Sequence, residues 1–194
     1  IVDRTVCLVG GYLVDVFRAT SADEHLYDLP LHGPGTVTTQ TPLQPAAPAW
    51  EDLRGYQHFT DVQQAAAPQL TRATFTGENG SLMMLQNSPE GSDLITAEDP
   101  VKGGTSSTSC VISRVRGTEA TWISVIESSE EEPTVVDMTV TDAGESLGIR
   151  VTHQDGADEL TIPAAHGRPV FLRRMDADGA VTVEESAEGI EEME

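Results

Sequence analysis

The feature that most constrains this 194-residue chain is an alternation of apolar and polar residues with a period of two. The alternation is clear in RTVCLV (4–9) and YLVDVFRA (12–19), and it recurs in most later segments. Val, Ile, Thr and aromatic residues dominate these runs, and no segment sustains a helical period. This pattern is typical of β-strands with one buried face. The sequence therefore predicts an all-β fold.

Turn sequences rich in Gly, Asp and Asn separate the predicted strands, as in GENG, DAGES, HQDGAD and DADG. Gly10-Gly11 and Gly117-Thr118 each lie between two apolar runs and predict tight hairpins. Strands at spacings of about ten residues favour an antiparallel β-sandwich, here of roughly ten to twelve strands. The other predicted strands are 71–76, 81–86, 111–116, 119–127, 134–140, 146–153, 158–162, 168–174 and 180–185.

Two irregular segments interrupt the predicted strands. Five prolines lie within residues 33–69, and proline cannot donate a ladder hydrogen bond, so we predict a long proline-rich loop there. Residues 98–109 are polar and glycine-rich and predict a second loop. The length suits one domain, a sandwich over 1–185, followed by an acidic, solvated tail over 186–194.

The charge balance excludes several classes of partner. Asp and Glu number 32 against 11 basic residues, giving a net charge of -21, and Lys102 is the single lysine. Nucleic acids and anionic membranes bind clusters of Lys and Arg, so we expect neither as a partner. This composition, with scarce lysine and retained arginine, resembles that of proteins from halophilic microbes. The alternative is an ordinary acidic surface whose net charge is increased by the acidic tail. The localisation stays open among cytoplasmic, periplasmic and secreted.

The cysteines and the first residues of the chain carry less information. Cys7 and Cys110 lie in apolar runs, which predicts buried thiols in place of a disulfide framework or a zinc site. No run of 18 apolar residues predicts a transmembrane helix. The chain opens on IVDRTVCLV, already in strand rhythm, so we expect a processed product or a piece of a longer polypeptide.

Two segments together resemble the heparinase II/III-like polysaccharide lyases. DRTVCLVGGYLVDVFRATSADEHLYDLPLHG is similar to a stretch in which a Y-x-V-D-x-F-R strand precedes an H-x-Y-x-L-x-L-H-G strand. CVISRVRGTEATWISVIES is similar to a later T-F-x-S-V-I-E-P signature, with Trp122 in place of the phenylalanine and Ser128 in place of the proline. The order and spacing of the two segments imply the C-terminal β-sandwich portion of such an enzyme.

The resemblance implies β-elimination on uronic-acid polysaccharides such as heparan sulfate or alginate. In that family a tyrosine or histidine base removes the C5 proton while neighbouring groups neutralise the carboxylate. Most of that machinery belongs to an N-terminal helical toroid, and a zinc site belongs to early sandwich strands with H-x-H-x-D and H-N-T patterns. Neither pattern occurs in these 194 residues. We therefore expect no catalytic residue, metal ligand or cofactor in this chain, with zinc confined to the upstream part.

The candidate substrate-binding residues are Arg18, His25, Tyr27 and His32. Strand alternation places His25 and Tyr27 on one face and His32 on the other, so the two histidines cannot converge on one metal or proton. In one interpretation Asp15, Arg18, His25 and His32 satisfy one another, or backbone groups, at a sheet edge. In the other, Arg18, His25 and Tyr27 border a cleft, where the arginine binds a uronate carboxylate.

Two functional hypotheses remain at this point. The first is a non-catalytic sandwich portion of a lyase, inactive alone, whose partners are the upstream toroid, the early sandwich strands and an anionic polysaccharide. The second is a free-standing module that binds carbohydrate or protein. Trp50, Tyr56 and Phe59 form the aromatic cluster that a sugar-binding module would use.

Overall fold

The computed structural model describes residues 1–47, 55–100, 107–164 and 168–187. These residues form fourteen strands and one short 3-10 helix, and every strand pairing is antiparallel. The predicted all-β antiparallel class is confirmed, with fourteen strands in place of ten to twelve. The described residues contain no helix with the length and apolar character needed to cross a membrane.

The chain divides into two compact units, Ile1–Glu132 and Pro133–Glu194. Unit 1 contains a nine-stranded sheet and unit 2 a five-stranded sheet. The prediction of one sandwich over 1–185 stays a prediction, and residues 188–194 of the predicted tail lie outside the described residues. The strands of unit 1 are β1 (Val2–Val9), β2 (Tyr12–Pro34), β3 (Thr36–Thr39), β4 (Gln44–Pro45), β5 (Thr60–Ala66), β6 (Leu70–Gly77), β7 (Gly80–Asn87), β8 (Asp93–Pro100) and β9 (Ser107–Ser129).

Strand β9, 23 residues long, organises unit 1. One edge of β9 pairs with β2 along nearly its whole length. The other edge pairs with β8 in its first half and with β7 in its second half. Strand β1 joins β2 through the predicted Gly10-Gly11 hairpin, in which Gly10 has a φ of 58°. A two-residue hairpin needs positive φ at its first central residue, and glycine adopts it without a Cβ clash.

The sheet of unit 1 bends over its own core. Val111 belongs to the first half of β9 and Ile126 to the second, yet both contact the cluster built on Phe75, Met84 and Leu94. An extended strand would separate residues 15 positions apart by about 50 Å, so β9 must turn back over itself. The inward-facing residues are odd-numbered in the first half of β9 and even-numbered in the second half, since Val115 and Trp122 pack in one cluster. The two halves therefore enclose a sandwich-like core.

The predicted hairpin at Gly117-Thr118 is wrong, because residues 111–127 lie within one continuous strand. Gly117 is not among the glycines with positive φ, which the hairpin would require. Instead β2 pairs with both sides of this position, and four residues of β2 between Thr20 and His25 oppose one residue of β9. This bulge bends the strand pair at the position where the sequence pattern predicted a hairpin turn.

The two predicted loops are partly strand. Within 33–69 the chain forms β3, β4, β5 and the 3-10 helix Tyr56–His58. Within 98–109, residues 98–100 end β8 and residues 107–109 begin β9, while 101–106 lie outside the described residues. Pro45 is tolerated because β4 spans two residues at the end of the strand order.

Unit 2 is a meander in which each strand pairs with the next along the chain. One face carries buried apolar residues such as Ile149, Leu160 and Ile162, and the other face is accessible and mainly polar, with Phe171 half exposed on it. The strands are β10 (Val135–Asp142), β11 (Ser146–His153), β12 (Gly156–Pro163), β13 (Val170–Asp176) and β14 (Val181–Ala187).

Candidate functional site

Arg18 lies on β2 and is engaged by a carboxylate of the neighbouring strand. Its Nη1 donates to Asp3 Oδ2 at 3.1 Å, and each side chain is one-fifth exposed. Asp15, three residues earlier on β2, accepts a bidentate pair from Arg4, with Nε to Oδ1 at 2.9 Å and Nη2 to Oδ2 at 2.8 Å. The guanidinium of Arg18 is therefore already paired at the β1–β2 edge.

His25 and Tyr27 share a face of β2, as predicted. Their rings meet edge to face at a centroid distance of 6.0 Å. The Tyr27 ring packs on the inner cluster of Val115, Ala120 and Trp122, while His25 is exposed. The Tyr27 hydroxyl is buried and has no hydrogen-bond partner within the described part of the chain. Tyr27 is therefore a packing residue on the inner side of the bend.

His32 lies on the opposite face of β2, which confirms that the two histidines diverge. Its Nε2 lies 3.0 Å from Asp99 Oδ2 on β8, and its ring lies 6.3 Å from Phe59. The bend places Arg18 with the second half of β9, whereas His25 and His32 flank the first half from opposite sides. The structure thus distributes the four candidates over three surfaces and brings together His25 with Tyr27 alone.

Sequence reasoning missed a buried ion pair formed by Asp28, four residues before His32 on the same face of β2. Arg114 on β9 donates from Nε and Nη2 to the two carboxylate oxygens of Asp28, both at 2.7 Å, and each side chain is about nine-tenths buried. Tyr56 also hydrogen-bonds Asp28, and burial, then the charge and hydrogen bond of Asp28, raise the pKa of Tyr56 to about 12. The available signal was Arg114 between Ser113 and Val115 in the run VISRVR, and the wrongly predicted hairpin concealed its partner Asp28.

Cys110 is buried with Ile95 and Ile112 in a cluster against which Tyr56 also packs. Burial first, then the charges of Asp99 and Asp28, raise its thiol pKa to about 12. A thiol nucleophile needs a lowered pKa and access to solvent, so Cys110 is a structural residue. Burial of Cys110 is confirmed, whereas Cys7 is half-buried, because it belongs to the edge strand β1. Both cysteines are free thiols.

The charged side chains described above pair with one another and assemble no metal centre in the part of the chain that is described. In particular, no group of three or more His, Cys, Asp or Glu side chains is placed to hold a metal ion among those residues. Trp50, the third member of the predicted aromatic cluster, lies outside them. Tyr56 and Phe59 do meet, at a centroid distance of 5.1 Å. No protein-family model matches the chain, and no curated protein matches it.

Proposed function

We propose that this chain is a non-catalytic β-sandwich part of a polysaccharide lyase that cleaves uronic-acid polysaccharides by β-elimination. The two sequence segments that resemble heparinase II/III-like lyases suggest the enzyme class. The pairing of Arg18 with Asp3, the packing of Tyr27 and the pairing of His32 with Asp99 support a role without chemistry.

One observation carries the proposal that the chain works as part of a larger sandwich. Strand β1 exposes Val2, Val6 and Leu8, with 68, 52 and 79 % of each residue accessible. They share a sheet face with Leu13 and Phe17 of β2, and also with the ion pair of Arg4 and Asp15, since Arg4 lies between Val2 and Val6. Beyond β2, the outer edge of β1 pairs with no strand among the described residues.

Exposed apolar side chains on an edge strand with unpaired backbone groups are uncommon, because such an edge recruits further strands. We propose that early sandwich strands of the same enzyme extend the sheet from β1. Those strands would cover Val2, Val6 and Leu8 and connect the sheet to the helical toroid.

The sequence encoded ahead of Ile1 tests this proposal. A helical toroid followed by an H-x-H-x-D strand supports it, and amide hydrogen exchange in β1 should then be slower in the longer polypeptide than in residues 1–194 alone. A signal peptide directly ahead of Ile1, or equal exchange in both forms, would refute it.

A free-standing binding module is the second candidate. The observation in its favour is the aromatic contact among His32, Tyr56 and Phe59 on the outer face of the first half of β9. Tyr56 and Phe59 are only partly exposed and pack on Ile95 and Ile112, so they present less ring surface than a sugar-stacking platform requires. The lyase proposal is therefore preferred.

A further inference from the structure

The accessible face of the unit 2 sheet contains an open groove of about 540 Å³. Two rows of directly opposed residues line it. Glu159, Arg173 and Glu184 form one row across β12, β13 and β14, and Thr161, Phe171 and Ser186 form the next. The second row continues onto Gly148 of β11, which opposes Thr161 and carries no side chain.

Phe171 is the single aromatic residue among the described residues that line this groove. It is 50 % exposed, with the hydroxyl residues Thr161 and Ser186 as its neighbours across the ladder. Binding sites commonly combine one apolar surface with a few polar groups that fix the orientation of the ligand. The C–H face of a sugar ring can stack on such a ring, which carries negative charge density on its face.

The flanking row supplies hydrogen-bonding groups at fixed positions. Arg173 donates from Nε and Nη2 to the same oxygen of Glu184, Oε1, at 3.3 and 3.0 Å. Arg150 donates to Glu159 Oε1 at 2.6 Å. Within the described chain, Oε2 of Glu159 and Oε2 of Glu184 accept no side-chain hydrogen bond, so each can accept one from a ligand hydroxyl.

The charge of the surrounding molecule favours an uncharged ligand. In the groove Glu159 is paired with Arg150 and Glu184 with Arg173, so this row is close to neutral, whereas the whole chain carries a net charge of -21. An anionic sugar would meet repulsion, whereas an uncharged sugar offers hydroxyls to the carboxylates without an electrostatic penalty. We propose that this groove binds an uncharged, hydroxyl-rich sugar residue of a polysaccharide. The proposal goes beyond the lyase assignment and does not depend on it.

Amide chemical shifts of the full 194-residue chain test the proposal. The chain is titrated separately with cellohexaose, maltohexaose and mannohexaose, and with an alginate hexamer as the anionic comparison, up to about 10 mM, a range that covers weak binding. We expect at least one neutral hexamer to shift the amides of Thr161, Phe171 and Ser186, and the alginate hexamer to bind more weakly.

The matched variants are Phe171→Ala and Val181→Ala, both at residues that are about half exposed. Loss of ring stacking should weaken binding about tenfold in F171A, and V181A should bind like the parent, since Val181 does not line the groove. Absence of shifts with all three neutral sugars, tighter binding of the alginate hexamer, or equal affinity of F171A would overturn the proposal. Because no lyase activity is measured, the result is independent of the proposed function.

Discussion

At the scale of single residues, the pair of Arg114 and Asp28 in the first half of β9 is buried, so the loss of either partner should be costly. Removing one partner of a buried pair leaves the other charge uncompensated in a site closed to water. Arg114→Ala should therefore lower the free energy of unfolding by about 3–5 kcal/mol. Urea denaturation followed by tryptophan fluorescence measures the change.

The matched control for R114A is Arg116→Ala, two positions along the same strand. Arg116 lies 3.8 Å from Glu24, and both side chains are about 60 % exposed. Exposed pairs contribute about 0–1 kcal/mol, so R116A should change the free energy of unfolding very little. Equal losses in R114A and R116A would contradict the importance of burial at Asp28.

Tyr56 and Cys110 predict instability at alkaline pH. Both groups are neutral when protonated, and folding raises the pKa of each to about 12 from ordinary values of 10.0 and 9.0. A raised folded pKa stabilises the native state below the ordinary value, and that contribution is lost as pH rises toward the folded value. The free energy of unfolding should therefore fall between about pH 9 and pH 12.

Denaturation curves at successive pH values measure this decline. The double variant Tyr56→Phe, Cys110→Ala cannot ionise at either position, so its stability should fall less steeply over the same range. If the two proteins lost stability in parallel, other groups would be responsible and this assignment would be wrong.

At the scale of elements, the end of β2 depends on a close approach to β6. A Cβ built on Gly33 would lie 2.3 Å from Cγ and Cδ1 of Phe75, a fully buried ring. Gly33→Ala should therefore force the ring aside and destabilise the protein by about 1–3 kcal/mol. Thermal unfolding compares it with Gly11→Ala, where no atom lies within 4 Å of the added Cβ. Similar midpoints for G33A and G11A would show that β6 does not need the glycine.

Local elements were predictable where alternation and turn chemistry coincide. The hairpin predicted at Gly10-Gly11 is present, and the strand predicted over 146–153 has the same bounds as β11. The hairpin predicted at Gly117-Thr118 does not form. Strand β2 pairs with β9 on both sides of this position, and a bulge in β2 takes the place of the turn. The sequence missed β3 and β4, which span four and two residues and are too brief for alternation to be detected. It also missed β5 (TDVQQAA) and β8 (DLITAEDP), in which apolar and polar residues do not alternate regularly.

The candidate site was predictable only in part, because local alternation does not show which strands become neighbours. Alternation within β2 correctly separated His25 from His32. The partners of Arg18 and His32 come from β1 and β8, and that of Asp28 comes from β9, so they follow from the sheet register and not from local pattern. Long-range register is set by packing of the whole sheet.

At the scale of the whole molecule, a net charge of -21 predicts stabilisation by salt. Folding brings like charges to spacings near the Debye length, which is about 10 Å at 0.1 M salt and about 3 Å at 1 M. Screening relieves this summed repulsion, and it removes few exposed attractions, each worth about 0–1 kcal/mol.

The thermal unfolding midpoint should therefore rise between about 0.1 M and about 2 M potassium chloride, a range that spans this screening. Chloride is used because sulfate strengthens apolar burial in any protein. A midpoint that stays level or decreases would remove the halophile interpretation and leave the acidity as a determinant of solubility.

We propose that this chain contributes a sandwich to a uronate lyase without contributing its chemistry. The direct measurement is the absorbance of unsaturated uronate products after incubation with heparan sulfate and with alginate. Residues 1–194 alone should produce none, and the polypeptide read from the whole gene should produce them from at least one substrate. Turnover by residues 1–194 alone, or an inactive whole polypeptide, would contradict the claim.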